Sequence, residues 1–327
     1  MWRRSTPRKI LNFASVKLQK QFRRDTVRGL PYRYKLDPTN HCHLKCPLCP
    51  TGLQISTRKT GRMDDELFRS IVDQIASHTL ILDLFGWGEP LLHPRLNSLI
   101  RLAADRNIFT RLSTSLSLPE WLGAKQLVAS GLDAVIVAVD GANQSSYERY
   151  RRNGRLDNVA TNLRRLVEAR YASGKSTPHI TVRMLIHRFN EHELDEVKRL
   201  ARQWGADAFT VETIVINSDD ADQAATWLPT NTHFNSDQQN RGSCDDLWES
   251  MVINWDGGVS PCCWIYDPVH DLGSLKTSPL PELWNSPAYK AARRAVAHKK
   301  PADCAPDVLC TSRGGRPAYL VKLKPLS

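Results

Sequence analysis

From residue 32 to residue 216 the chain alternates between two hydrophobic periods, and this restricts the fold more than any other feature. Short β-branched or aromatic runs occupy residues 32–37, 80–86, 108–114, 134–140, 180–187 and 208–216. Between them lie segments of helical period. Residues 63–78 open on an acidic turn and carry Leu67, Ile71 and Ile75 at a four-residue spacing; residues 95–106, 118–131, 159–174 and 192–205 read the same way. Three of these segments stop near Gly131, Gly174 and Gly205, as helix C-termini prefer. Six strands alternating with helices predict a parallel sheet of right-handed βα units, either a partial barrel or an open doubly wound sheet. Both architectures place chemistry at the C-terminal ends of the strands.

The first strand runs directly into such a place. The stretch LDPTNHCHLKCPLCP sets Cys42, Cys46 and Cys49 within eight residues. No secretory signal or membrane-length apolar run is read, so the chain is expected to be cytoplasmic, where cysteines serve metal or redox chemistry more often than disulfides. Three thiolates suit an iron–sulfur cluster short of one ligand, or a zinc site completed by His41 or His43. The second strand ends in GWGEPLLHP, where Gly86, Gly88, Glu89 and Pro90 form a glycine-opened turn. A carboxylate there can accept hydrogen bonds from a ligand amine.

A C-x3-C-x2-C loop after strand one and a G-E-P turn after strand two together resemble the radical S-adenosylmethionine (SAM) superfamily, over residues 32–310. The resemblance implies a partial (β/α)6 TIM-like barrel. It also implies a [4Fe–4S] cluster held by Cys42, Cys46 and Cys49, whose fourth iron takes the amino and carboxylate groups of SAM. Reductive cleavage of SAM would then yield a 5′-deoxyadenosyl radical that abstracts hydrogen from substrate, with electrons supplied by an external reductase such as flavodoxin or ferredoxin. Position by position, Gly88 and Glu89 match the turn that holds the methionine amine, and Leu48 matches an apolar position beside the adenine. VAVDGANQSSYERYR resembles the strand-four segment of the family: Arg151 is expected near the SAM carboxylate, and Asp140 near the ribose and substrate. Two positions depart from the pattern. Ala138 replaces the usual serine, and the usual Thr-Asn-Gly after strand three reads Thr114-Ser115-Leu116. The substrate base is not readable; His187, Glu191, His192 and Glu212 lie at or just beyond expected strand ends, with Asp140 and Glu212 carried as the catalytic candidates.

Beyond residue 216 the texture turns polar. Residues 218–243 read as a linker, and MVINWDGGVSPCCW as a hairpin turning at Asp256-Gly257-Gly258. Cys244, then Gly257, then Cys262 after four intervening residues resembles the opening of the SPASM and twitch subdomains, with Cys304 and Cys310 as closing ligands. Four cysteines fit the shorter twitch version, with one auxiliary [4Fe–4S] cluster. DGGVSPC favours Cys262 over Cys263, which is then expected to be a small buried apolar residue; a four-cysteine zinc site is the alternative for this unit. A fully ligated auxiliary cluster suits removal of an electron from substrate. The expected reaction is therefore dehydrogenation or epimerisation of a small polar metabolite, with peptide or RNA modification, or a non-catalytic zinc protein, as alternatives. Absence of a leader-binding wing of roughly 80 residues, a domain in itself, weighs toward the small substrate.

The net charge of +11 is local. Residues 1–35 hold eleven Lys and Arg against Asp25 alone, leaving the rest near balance at 34 basic to 33 acidic. A nucleic-acid surface is therefore not expected. The division expected is a basic helical arm over 1–31, a radical SAM core over 32–217, the linker, the auxiliary-cluster unit over 244–310 and a tail over 311–327. Within the arm, Leu11, Ala14, Leu18 and Phe22 fall at helical spacing. That face either packs on the barrel, leaving its lysines and arginines solvated, or lies on an anionic membrane surface; an RNA-binding arm is the third reading, with no aromatic-rich RNA motif to accompany it. Packing is the preferred expectation.

Overall fold

A computed structural model of the protein describes residues 2–214, 216, 221–231, 233–234, 245–298 and 318–322. Its strands are β1 (Arg33–Leu36), β2 (Ile81–Leu84), β3 (Phe109–Thr114), β4 (Ala134–Ala138), β5 (His179–Ile186), β6 (Ala208–Thr213), β7 (Ser250–Ile253), β8 (Val259–Ser260) and β9 (Ala318–Lys322). The chain forms two compact units: Met1–His41 with Ile55–Arg111 and Arg241–Gly315, and Cys42–Gln54 with Leu112–Asn240 and Arg316–Ser327. Strand β3 begins in the first and ends in the second.

In the first unit β1 runs parallel to β2 on one side and to β7 on the other, with Tyr34 opposite both Leu82 and Met251. Strand β8 folds back antiparallel on β7. Alternation decides the faces of β1: Tyr34 and Leu36 are buried, while Arg33 and Lys35 lie on the other face. On that face Arg33 and Arg111 both grip the fully buried Asp83, at 2.7 Å each. The helix Asp65–Ile75 starts where Asp64 accepts the Leu67 N–H at 2.8 Å. It buries Leu67, Phe68, Ile71, Val72 and Ile75, each such side chain contributing about 2 kcal/mol of transfer free energy.

In the second unit β4, β5 and β6 are parallel, with Val137 opposite Val182 and Val182 opposite Phe209. Strand β9 closes this edge antiparallel to β6, pairing Val321 with Phe209. Helices Leu156–Ala172 and Leu194–Gln203 follow β4 and β5 as the alternation predicts. The Arg170 guanidinium spans from the first of these to Asp207, whose carboxylate also accepts the Ile180 N–H at 2.7 Å.

Four features differ from the sequence reading. Residues 118–131 yield a helix only at Ala124–Ala129, because Glu120 takes a positive φ of 48° and Gly123 caps the start. Within the stretch read as a linker, the helix Ala221–Trp227 forms and buries Trp227. Residues 318–322, read as tail, form β9. The fourth feature corrects the arm. The helix Pro7–Gln21 packs through Val16, Lys9 and Phe13, and its basic residues turn inward: Lys17 and Lys20 to Glu249 at 2.6 and 2.8 Å, Lys20 and Arg23 to Asp245 at 2.8 and 2.7 Å. The face of Leu11, Ala14, Leu18 and Phe22 points to solvent. Distant carboxylates, invisible to local periodicity, decide this orientation. Among the described residues no helix is long and apolar enough to cross a membrane.

Candidate functional site

The cysteine loop lies in the second unit. Cys42, Cys46, Leu48 and Cys49 pack on one apolar cluster with Leu44, Tyr150, Phe189, Ile214 and Trp227. None of the three cysteines is in a disulfide. The Cys49 N–H donates to the Cys46 carbonyl at 3.2 Å, and the Lys45 N–H to the Arg152 carbonyl at 3.0 Å, fixing the loop at both ends. Gly52 is a determinant the sequence reading missed. A Cβ there would stand 2.4 Å from the Cys46 carbonyl oxygen, so only glycine lets the turn Pro50–Leu53 lie against Cys46.

One guanidinium organises this loop. Arg151 Nη1 lies 3.8 Å from Cys46 Sγ, and its Nε donates to Asp140 Oδ2 at 2.5 Å. Asp140 Oδ1 accepts the Leu185 N–H at 2.7 Å, so both carboxylate oxygens are committed and Asp140 acts as the partner that aims Arg151. Asn190, another missed residue, donates to the Asp140 and Leu185 carbonyls at 3.0 and 2.9 Å. Burial pushes the Cys46 thiol up, while the guanidinium pulls the other way. Among the described residues, no three His, Cys, Asp or Glu side chains converge on a site for one metal ion. A four-iron cluster takes its three thiolates on three separate irons, so its ligand loop is wider than a single-ion site. Three thiols outside disulfides, in an apolar cluster with a cation against one sulfur, fit such a group.

Thr114 and Leu116 are in the same unit. Thr114 Oγ1 accepts the Leu116 N–H at 2.9 Å, and Leu116 holds a φ of +53°. The usual glycine of this turn is thus replaced while its left-handed backbone is kept, a strained position for a leucine. The base candidates fall into distinct settings. Glu212 lies on β6 with its carboxylate 3.7 Å from Arg183. Glu191 binds the loop at Thr230 and Asn231, and His192 is exposed. His187 is fully buried among Tyr150, Phe189 and Trp227; burial pushes its imidazole down to about 4, so it is neutral near pH 7.

The G-W-G-E-P turn lies in the first unit, against the end of β1. A Cβ on Gly88 would sit 1.9 Å from the Thr39 carbonyl oxygen, and one on Gly86 would sit 2.6 Å from the Asp37 carboxyl carbon. The Glu89 N–H donates to the carbonyl of His41, the residue before Cys42, at 2.8 Å. Its buried carboxylate accepts the Leu91 N–H at 3.2 Å. Asp37 Oδ2 accepts the Trp87 N–H at 2.9 Å, while its Oδ1 is buried with no hydrogen-bond partner. Burial raises the Asp37 carboxyl to about 7, against the pull of the Trp87, Thr39 and Gly88 amides.

This has a stability consequence. The folded chain holds the Asp37 proton that the unfolded chain releases near pH 4, so stability falls as pH rises from about 4 to about 7 and is then level. Asp37→Asn keeps an acceptor for Trp87 and removes the charge. Anaerobic thermal unfolding should show the variant more stable at pH 8 by on the order of 3 kcal/mol, the gap closing toward pH 4.5. A gap independent of pH would refute the assignment.

Of the auxiliary cysteines, Cys244, Cys304 and Cys310 lie outside the described residues. Cys262 is buried, and Tyr289 of the helix Pro287–His298 is near enough to feel its charge. Cys263 differs from expectation: its surroundings are polar, with Sγ 3.9 Å from Asp246 Oδ2 and the Lys35 ammonium beside it. Gly257 has a φ of +86°, which makes it the residue whose glycine the hairpin requires in the left-handed region, five residues before Cys262. Arg58 fixes the hairpin, gripping Asp256 at 2.7 and 2.6 Å and Asp271 at 2.7 and 2.8 Å.

The chain belongs to the radical SAM superfamily, whose family model matches residues 36–201, and the SPASM iron–sulfur cluster-binding domain matches residues 244–311. It is 27% identical to the PqqA peptide cyclase of Gluconobacter oxydans over 181 residues, 55% of this chain and 49% of that protein. The chain thus spans about half the length of that relative. It is 24% identical over 295 residues to the tungsten-containing aldehyde ferredoxin oxidoreductase cofactor-modifying protein of Pyrococcus furiosus, covering 80% of this chain and 82% of the other. Among solved structures, Streptococcus suis SuiB bound to S-adenosylmethionine superposes with a TM-score of 0.63 at 14% identity, over 85% of this chain and 71% of that one. BtrN in complex with AdoMet and 2-DOIA superposes at 0.52 and 13% identity, over 87% and 97%. The fold class is an open, partial α/β barrel with a C-terminal SPASM domain, and its cofactors are a [4Fe–4S] cluster, SAM and auxiliary iron–sulfur centres.

Proposed function

We propose that this radical SAM enzyme modifies a peptide substrate. The observation that carries the reading is the sequence match to PqqA peptide cyclase. The expected dehydrogenase or epimerase acting on a small polar metabolite gives way to this alternative, and the length argument against a peptide has no weight beside it. Cys42, Cys46 and Cys49 would hold the SAM-binding cluster, and Cys244, Cys262, Cys304 and Cys310 one auxiliary cluster. The bound cluster and SAM supply a hydrogen-abstracting radical. The protein's part would be to bind and exclude water: by the family resemblance, Gly88 would open the backbone for the Glu89 carboxylate to receive the methionine amine, Leu48 and Thr114 would line the nucleoside, and Arg151, aimed by Asp140, would receive a carboxylate. Glu212, beside Arg183, is the acid–base candidate on the strand face. An external flavodoxin or ferredoxin would deliver the electron.

The test is anaerobic incubation with SAM and dithionite, scoring 5′-deoxyadenosine. A pool of short synthetic peptides should raise its yield and, when deuterated, transfer deuterium into it. Stimulation by small polyhydroxylated metabolites with none by peptides would overturn the reading.

A further inference from the structure

The N-terminal helix Pro7–Gln21 is amphipathic in the reverse sense for a helix packed on a soluble domain. Its inward face carries Lys9, Val16 and Lys20, with Lys9 Nζ donating to the Asn107 carbonyl at 2.7 Å. Its outward face carries Ile10, Leu11, Ala14 and Leu18, continued by Phe22. Leu11 is 71% exposed, Leu18 58% and Phe22 64%. The other large exposed apolar residues, such as Leu122, Tyr171 and Val269, stand on separate segments and need no explanation. A continuous apolar crest over about three turns does need one, because soluble domains rarely leave such patches uncovered.

The charge around the crest says what covers it. Lys17, Lys20 and Arg23 are spent on Glu249 and Asp245. Arg3, Arg8, Arg24 and Arg28 remain exposed along the arm, with the Arg24 guanidinium 5.7 Å from the Phe22 ring. The single carboxylate of the arm, Asp25, is taken by Arg294 at 2.8 Å. An apolar ridge with arginine shoulders matches an anionic lipid interface, where apolar side chains enter the acyl boundary and arginines reach the phosphates. A second copy of this arm would bring like charge against like.

We propose that the outward face of Pro7–Gln21, through Leu11, Leu18 and Phe22 with Arg8 and Arg24, docks the enzyme peripherally on an anionic membrane surface. This proposal does not depend on the substrate class. The inward contacts already fix the helix axis, so docking needs no rearrangement of the domain.

The test is flotation of the iron-loaded protein, under anaerobic conditions, with phosphatidylcholine vesicles with and without about one-third phosphatidylserine. Binding is expected only to the anionic vesicles and should fall at least roughly tenfold at about 0.5 M salt. Leu18→Asp with Phe22→Asp changes exposed positions only, so iron content and the circular dichroism spectrum should be retained while flotation is lost. Arg8→Gln with Arg24→Gln should weaken flotation by roughly tenfold. No binding to anionic vesicles at low salt, or binding unchanged in the aspartate variant, would overturn the proposal. So would a dimer in sedimentation that the aspartate variant dissociates, since the face would then belong to a protein partner.

Discussion

Cys46→Ala should lower the iron content of the anaerobically reconstituted protein from about eight atoms per chain to about four, and 5′-deoxyadenosine formation to background. The reasoning is local. Cys46 is the buried member of the triplet, its sulfur faces Arg151, and its backbone is clamped by Gly52 and by the Cys49 N–H. Alanine there removes one of three thiolates at a buried position. Cys262→Ala should also lower the count to about four, yet leave reductive cleavage of SAM measurable, because an auxiliary centre held by the four cysteines proposed above would have no iron vacant for SAM. The double variant should hold almost none. Iron and labile sulfide analysis, read beside the electron paramagnetic resonance spectrum of the reduced protein, checks all three. About four irons in the unaltered chain, or full SAM cleavage by Cys46→Ala, would remove the two-centre assignment.

The parts of this protein legible in its sequence are those encoded locally. Six strands fall on the expected stretches, β5 starting one residue ahead of its own, and the helix Asp65–Ile75 begins at its acidic turn, because periodicity and capping act over a few residues. The cysteine triplet and G-E-P turn are legible for the same reason. What escaped depends on partners far along the chain. Nothing in SMVI says that β7 pairs parallel with β1, more than 200 positions earlier in sequence. Nothing in the arm says that Glu249 and Asp245 will draw its lysines inward and leave its leucines outside. Asp140 was legible as a strand-end carboxylate, but its commitment to Arg151 and Leu185 becomes visible only when β4 and β5 lie side by side. The pKa of Asp37 is likewise a property of the Trp87 turn that buries it.

Gly88→Ala is the second large effect, and it comes from one methyl group. The added Cβ would lie 1.9 Å from the Thr39 carbonyl oxygen, a backbone atom that cannot swing aside as a side chain would. Thr39 is also pinned from behind. Its hydroxyl donates to the Gly61 carbonyl at 2.7 Å, the Met63 N–H donates to the Pro38 carbonyl at 2.9 Å, and Thr39 bridges to Arg62. The strain must therefore move the turn, and the next residue is Glu89, whose N–H holds His41 at the threshold of the cysteine loop. A loss of about 3 kcal/mol is expected, as for an overpacked core, and melting several degrees lower. Because Glu89 is displaced, the SAM-induced change in the reduced-cluster spectrum should vanish at SAM concentrations that saturate the unaltered enzyme, while all three cluster cysteines remain. Gly174→Ala provides the contrast: its φ is +65° but nothing lies within 4 Å of its Cβ, so the cost should be about 1 kcal/mol with SAM response intact. Equal stability and equal SAM response in the two variants would show that the turn tolerates a side chain, and that its glycine does not set the position of Glu89.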